Sequence, residues 1–166
     1  DLLERDPSSL GSSDKTKMKI LSSLIIKPKV LVLDNVICEL DYNDKLLVFD
    51  ILKEYKDKII GGVLHSYSGS LELAKEYTKM NYLLGISGPL TFKNGKVAKE
   101  VVANIDLKYL ISETDSPYLT PVPFRGKLNQ PAYTKYVVEE IAKIKNLPME
   151  KVEETLEENT KRLFNI

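Results

Sequence analysis

The chain has 166 residues, 43% of them hydrophobic, which is enough for one substantial core but not for two complete ones. Lysine plus arginine and aspartate plus glutamate both number 24, so no overall charge draws the chain onto nucleic acid and any such contact must be local. The single cysteine, Cys38, and single histidine, His65, exclude an internal disulfide and a Cys/His zinc cluster, and favour a reducing, cytoplasmic setting. No basic-then-apolar signal segment opens the chain, and no apolar run approaches the ~18 residues of a membrane span. Because it begins on Asp1 rather than methionine, the chain is expected to be an excerpt of a longer one.

In chain order, Met18, Leu21, Leu24 and Ile25 share one face of a predicted helix. Pro28 precedes the continuous apolar run KVLVLD (29–34), which predicts a strand buried on both sides. Leu47, Val48, Ile51, Leu52 and Tyr55 mark a second helix, and IIGGVLH (59–65) a second strand. Ser70 is placed to cap a helix carrying Leu71, Ala74, Tyr77 and Met80. YLLGIS (82–87) reads as a third strand, followed by a GPLTFKNGK loop and a short helix near 96–103. LKYLISETD (107–115) is the fourth, and it runs into the proline-rich loop SPYLTPVPFRGKLNQP. Pro131 suits the start of a helix bearing Tyr133, Val137, Ile141 and Ile144, and Pro148 opens the last one. No internal repeat or low-complexity tract interrupts this alternation, which predicts a parallel sheet with right-handed crossovers.

In α/β folds the working groups collect at the carboxyl ends of the strands. His65 ends one predicted strand, and Glu113 and Asp115 end another. Imidazole and carboxylate on rigid strand tips suit a hydrolytic metal site with an open position for water. The same residues also fit a packed turn and a loop cap. Arg125 offers a bidentate contact to a phosphate oxygen, with Lys127 as a point charge nearby, and both equally suit a solvated loop. Ser68 shapes the turn after His65 or touches substrate.

Four stretches, GGVLHSYSGSLELAKEY, GISGPLTFKN, ISETDSPYLTPVPFRGKLNQP and EENTKRLF, resemble in order and spacing the C-terminal half of the TatD family of metal-dependent deoxyribonucleases. The resemblance runs from about residue 59 to the end. It implies a TIM-barrel-derived fold, a divalent metal (Mg, Mn or Zn), and hydrolysis of phosphodiester bonds in DNA. His65 and Asp115 match metal ligands of the family, and Asp115 also matches the group that takes a proton from the attacking water. Ser66 stands where many members carry cysteine, at a position that does not bind metal. The remaining family ligands, a His-x-His pair, a glutamate and another histidine, have no counterpart here. Glu113, Ser68, Arg125 and Lys127 are the candidate substrate contacts.

Residues 6–41, DPSSLGSSDKTKMKILSSLIIKPKVLVLDNVICELD, resemble a different family, the ABC-transporter ATPases from signature motif through Walker B, with a weaker likeness continuing to 58. That resemblance makes Asp34 a nucleotide-magnesium residue. Asn35 replaces the catalytic glutamate, and no GxxxxGK[ST] phosphate loop exists in the chain.

The expectation is therefore an α/β, partial TIM-barrel-like fold: an open, mainly parallel sheet with flanking helices. It divides into an ABC-like fragment (1–58) and a TatD-like half-barrel (59–166). The function expected is a metal-dependent DNA hydrolase, incomplete as an isolated chain. The alternatives are a non-catalytic remnant or interaction module, or a fragment of an ABC-type ATP-binding protein. Unpaired edges and an uncovered inner face predict self-association or a complementary half-barrel as partner.

Overall fold

The structure is a computed structural model that describes residues 6–26, 28, 30–34, 40, 42–54 and 61–166. Four strands form one wholly parallel sheet in the order β1 (Val30–Asp34), β2 (Gly61–His65), β3 (Tyr82–Ile86), β4 (Leu110–Ser112). Sequential strands lie side by side because a helix crosses over between each pair: α2 (Tyr42–Glu54), α3 (Leu71–Lys79) and α4 (Lys96–Asn104). α1 (Ser12–Ile25) precedes the sheet, and α5 (Thr134–Lys145) and α6 (Met149–Phe164) follow it. The open, partial barrel expected from sequence is the fold observed. Among the described residues no helix is long and apolar enough to cross a membrane.

The larger core lies between the sheet and its helices. Leu64, Tyr82, Leu84, Ile86 and Leu110 point to this side and meet Ala74 and Tyr77 of α3, Val101 and Val102 of α4, and Val137 and Ile141 of α5. Phe49, Tyr77 and Tyr82 stack edge-on at 5.6 and 6.0 Å between ring centres, tying α2 and α3 to β3. Lys17 joins α1 to α2 by reaching Asp14 and Asp44, both at 2.8 Å.

Several elements differ from expectation. In α1 the buried face is Thr16, Ile20 and Leu24, one turn apart, whereas Leu21 and Ile25 of the predicted face are exposed, Ile25 by 76%. In α2 Val48 and Leu52 are buried and Leu47 is exposed. Tyr55 and the first residues of the predicted 59–65 strand lie outside the described residues. The fourth strand is shorter than predicted because Asp106 caps a 3-10 turn at Leu107–Tyr109, its carboxylate accepting from the Lys108 amide at 3.1 Å. Pro131 starts a similar single turn before α5 proper.

The inner face is not bare. Val63, Leu83 and Ile111, one from each of β2, β3 and β4, are only 3%, 2% and 8% exposed and form a second cluster with Leu163 of α6. α6 reaches that position because Asn159, itself buried, donates from its amide nitrogen to the carbonyls of Leu107 and Leu110, both at 2.8 Å. Arg162 adds a bond to the Lys108 carbonyl at 2.6 Å. These bonds fix the segment that leads into β4.

Replacing Asn159 with alanine strips a partner from two buried carbonyls, and we expect a loss of about 2–3 kcal/mol in urea unfolding. Tyr82 has the opposite character. It is 1% exposed and its hydroxyl is, among the described residues, a buried side-chain oxygen with no partner. Tyr82→Phe is expected to stabilise the chain by about 1 kcal/mol. Burial also pushes the Tyr82 hydroxyl from 10.0 up to about 12. The folded chain therefore keeps this proton after the unfolded chain has lost it, so stability falls as pH rises from about 10 to 12. That share of the alkaline loss will be missing from the Tyr82→Phe melting curve.

Candidate metal centre

His65 is the last residue of β2, and the chain turns immediately after it through Ser66, whose backbone is left-handed (φ 47°). Tyr67 then donates its amide to the Gly85 carbonyl at 2.9 Å, holding the turn against β3. On the far side of β3, Glu113 donates its amide to Ile86 at 3.0 Å, extending the ladder beyond β4. Two residues later Asp115 is also left-handed (φ 60°), a conformation that aspartate tolerates better than most residues. The loop that follows folds back on itself through Asn129. The buried Asn129 amide donates to the carbonyls of Thr114 and Tyr118, both at 2.6 Å, and so braces the backbone on either side of Asp115.

The three candidate residues meet. Glu113 Oε2 lies 2.7 Å from His65 Nδ1, and Glu113 Oε1 accepts from the Ser66 amide at 2.5 Å. Asp115 Oδ1 lies 3.2 Å from His65 Nε2, on the other edge of the ring. β2 and β4 are not neighbours. Two strand spacings separate them by roughly 10 Å, and Glu113 must pass over β3 to make these contacts. It passes at Gly85, where any Cβ would collide with the Glu113 carboxylate. A glycine inside a strand pattern is a known sign of such close approach, and this was the available signal in YLLGIS. Asn129 carried no comparable signal, since its partners become visible only once the loop is closed.

Side-chain exposure separates the two carboxylates: 13% for Glu113 and 28% for Asp115. Burial pushes the Glu113 carboxyl up, while the facing imidazole and the Ser66 N–H pull it back. With Glu113 ionised, Nδ1 carries the proton that it donates, and Nε2 turns a lone pair toward Asp115. Two acceptors 3.2 Å apart require a cation between them, either a proton or a metal. Donors at about 2.1 Å from a tetrahedral zinc stand roughly 3.4 Å apart, so the pair has the spacing of two ligands on one ion. Carboxylate–histidine–metal relays place a buried carboxylate on the far ring nitrogen, as Glu113 is placed here. Donor type and spacing fit a divalent ion, but donor number does not complete its shell. Among the described residues no three His, Cys, Asp or Glu side chains converge on one point. Asp34 ends β1 in register with His65, and its side chain lies outside the described part of the structure.

The remaining candidates sit in the surrounding loops. Arg125 is exposed and lies over the Phe92 ring at 4.2 Å, and Lys127 lies over Phe124 at 5.5 Å. Ser68 is exposed in the turn after His65. Arg125 and Lys127 thus rest on aromatic rings, whereas Glu113, grouped with them from sequence, is directly bonded to His65.

Gly85→Ala and Glu113→Gln attack the same bridge from opposite ends. We expect both proteins to fold and both to lose the hydrogen-bonded His65 Nδ1–H signal in nitrogen-15 NMR, with Gly85→Ala also losing about 1–3 kcal/mol of stability. A retained signal in Gly85→Ala would mean that Glu113 does not need the space above β3.

The sequence matches the TatD related DNase family over residues 43–165. Among its relatives, it is 50% identical over 119 residues to the uncharacterized metal-dependent hydrolase YabD of Bacillus subtilis, covering 72% of this chain and 47% of that protein. It is 43% identical over 117 residues to the uncharacterized metal-dependent hydrolase MJ1582 of Methanocaldococcus jannaschii, covering 70% and 44%. The chain thus spans about half the length of the curated relatives it matches. The crystal structure of YjjV, a TatD homologue from Escherichia coli, superposes with a TM-score of 0.63 at 21% identity, over 99% of this chain and 73% of that one. A TatD family hydrolase from Entamoeba histolytica gives 0.57 at 13% identity, over 92% and 71%. These likenesses show the fold, and the first takes in the α1–β1–α2 segment as well as the half-barrel. The family match starts within α2. From its sequence match and its fold together, the chain belongs to the TatD related DNase family.

Proposed function

We propose that this chain carries one side of the active site of a metal-dependent phosphodiesterase acting on DNA. The observation that supports this most is the His65 Nε2–Asp115 Oδ1 pair at 3.2 Å, oriented by a buried carboxylate on the other imidazole nitrogen. In this reading His65 and Asp115 are the ligands of a divalent ion (Mg, Mn or Zn), and Glu113 is a positioning residue that fixes the His65 ring. When bound, the ion would lower the pKa of a water and polarise a phosphoryl oxygen. Asp115, the more exposed carboxylate, is the group that would receive the water's proton. Arg125 and Lys127 would supply positive charge to flanking phosphates, and Ser68 would shape the turn after His65 or touch the substrate.

Two protein ligands hold a divalent ion weakly, because stable zinc sites use three or four. The other ligands would come from a second chain, a second copy or a fuller-length protein, and the open edges of the sheet suit such a complement. A cytoplasmic setting fits a chain with one cysteine. A second reading, a non-catalytic interaction module, is favoured by the ligand count alone. The ABC-type reading of residues 6–58, with Asp34 directed to a nucleotide, has no support among the relatives described above, and the chain has no phosphate loop.

Cleavage of single- and double-stranded DNA by the purified chain with magnesium, manganese or zinc tests the proposal. Because the missing ligands must come from a second copy or another chain, we expect EDTA-sensitive cleavage only under conditions where copies associate, reduced at least a hundredfold in Asp115→Asn, with Glu113→Gln intermediate. A well-folded chain that does not bind manganese would count against the metal centre and for the interaction-module reading.

A further inference from the structure

A second feature lies beside the His65 cluster and shares residues with the turn that follows His65. The turn after β2 and the turn-helix segment after β3 enclose a pocket of about 440 Å³, within the ~300–1,000 Å³ range of small-molecule sites. Its walls are apolar: the Tyr67 ring, Ile86, Pro89, Leu90 and Val97. Polar groups are few. Asn94 and Lys96 enter from the α4 side, and the hydroxyls of Ser66 and Ser87 lie 3.3 Å apart on the other. No aspartate or glutamate lines it. The pocket shares Ser66 with the site, and the Ser66 amide is the group bonded to Glu113. Whatever fills the pocket therefore lies one residue from His65.

The walls exclude some occupants and suit others. A bare phosphate would leave the apolar side unfilled, and a purely aliphatic ligand would leave Lys96 and the Asn94 amide without use. A nucleoside matches both halves. It has a flat, weakly polar ring for the Tyr67–Ile86–Val97 surface and paired donor and acceptor atoms on its edge for an amide side chain. It also has a phosphate for a lysine. Positive charge lies nearby, because residues 88–99 contain Lys93, Lys96 and Lys99, the last paired with Glu140 at 3.4 Å, and residues 116–138 contain Arg125, Lys127 and Lys135. These two segments are in contact, with the Val122 amide donating to Thr91 Oγ1 at 2.9 Å and Arg125 resting on Phe92. Of these cations, Lys96 lines the pocket itself.

We propose that the pocket seats the nucleoside next to the scissile phosphate. Its base lies against Tyr67, Ile86 and Val97 with its edge at Asn94, and its own outer phosphate lies beside Lys96. The inference rests on the phosphodiesterase reading above for the identity of the ligand.

The test uses the full chain without added metal, so that it stands apart from any cleavage result. Deoxyadenosine 5′-monophosphate, thymidine 5′-monophosphate, deoxyribose 5-phosphate and inorganic phosphate are titrated while amide resonances are followed. We expect the two nucleotides to bind at least tenfold more tightly than deoxyribose 5-phosphate and to shift Asn94, Val97 and Ala98. Val97→Asn, a neutral change at a half-exposed position, is expected to remove that tenfold preference while leaving phosphate affinity in place. Lys96→Ala is expected to weaken nucleotides and deoxyribose 5-phosphate alike. Equal affinity for nucleotide and sugar phosphate, or a preference that survives Val97→Asn, would overturn the proposal. Failure of DNA cleavage with nucleotide binding intact would count against the phosphodiesterase reading and not against the pocket.

Discussion

The Glu113 carboxylate is the contact on which the candidate site depends. It leaves the tip of β4, crosses β3 and ends on two atoms at the tip of β2, the His65 Nδ1 and the Ser66 amide. One side chain thereby sets both the tilt of the imidazole and the start of the turn behind it. The crossing is possible only because β3 has no side chain at Gly85. Three strands thus contribute to one imidazole orientation: β2 the ring, β4 the carboxylate, and β3 the space between them. Burying that carboxylate disfavours its charge, and the facing imidazole and amide offset the penalty. The geometry is therefore self-consistent only when all three strands are in register.

Register in turn depends on elements far from the site. Asn159 and Arg162 of α6 hold the backbone between Leu107 and Leu110, and Leu163 covers the apolar layer directly beneath the site. That layer of Val63, Leu83 and Ile111 is what the interior of a closed barrel would contain. Here α6 covers part of it through Leu163. Above the layer, Asn129 performs for the long loop what Asn159 performs for the strand, satisfying pairs of carbonyls that would otherwise face inward without donors.

Much of this was legible in the sequence because period and punctuation agree. The runs at 30–34, 61–65 and 82–86 are continuous and apolar, as strands covered on both faces must be, and each is followed by a helical pattern of workable length. The positions of His65, Glu113 and Asp115 at strand ends followed directly. The details that failed share a cause. Apolar residues on α1 satisfy more than one helical stripe, and only packing against α2 and the Lys17–Asp44 contact decides that Ile20 turns inward and Ile25 outward. The cover over the inner face comes from Leu163, about 100 residues after the strand it protects, at a distance that no local pattern reports. Glu113 could be placed beside the site but not assigned a partner, because its partner lies two strands away and the pass over Gly85 exists only in three dimensions.

The bonds from Asn159 also bear on how the cluster around His65 would loosen. The segment that leads into β4 is tied to α6 by Asn159 and Arg162, whereas the backbone on either side of Asp115 is tied by Asn129. Opening of α6 would release the approach to Glu113 from one side, while the ladder bond to Ile86 and the Asn129 brace hold it from the other. The cluster thus has two separate supports, and loss of one leaves the other in place.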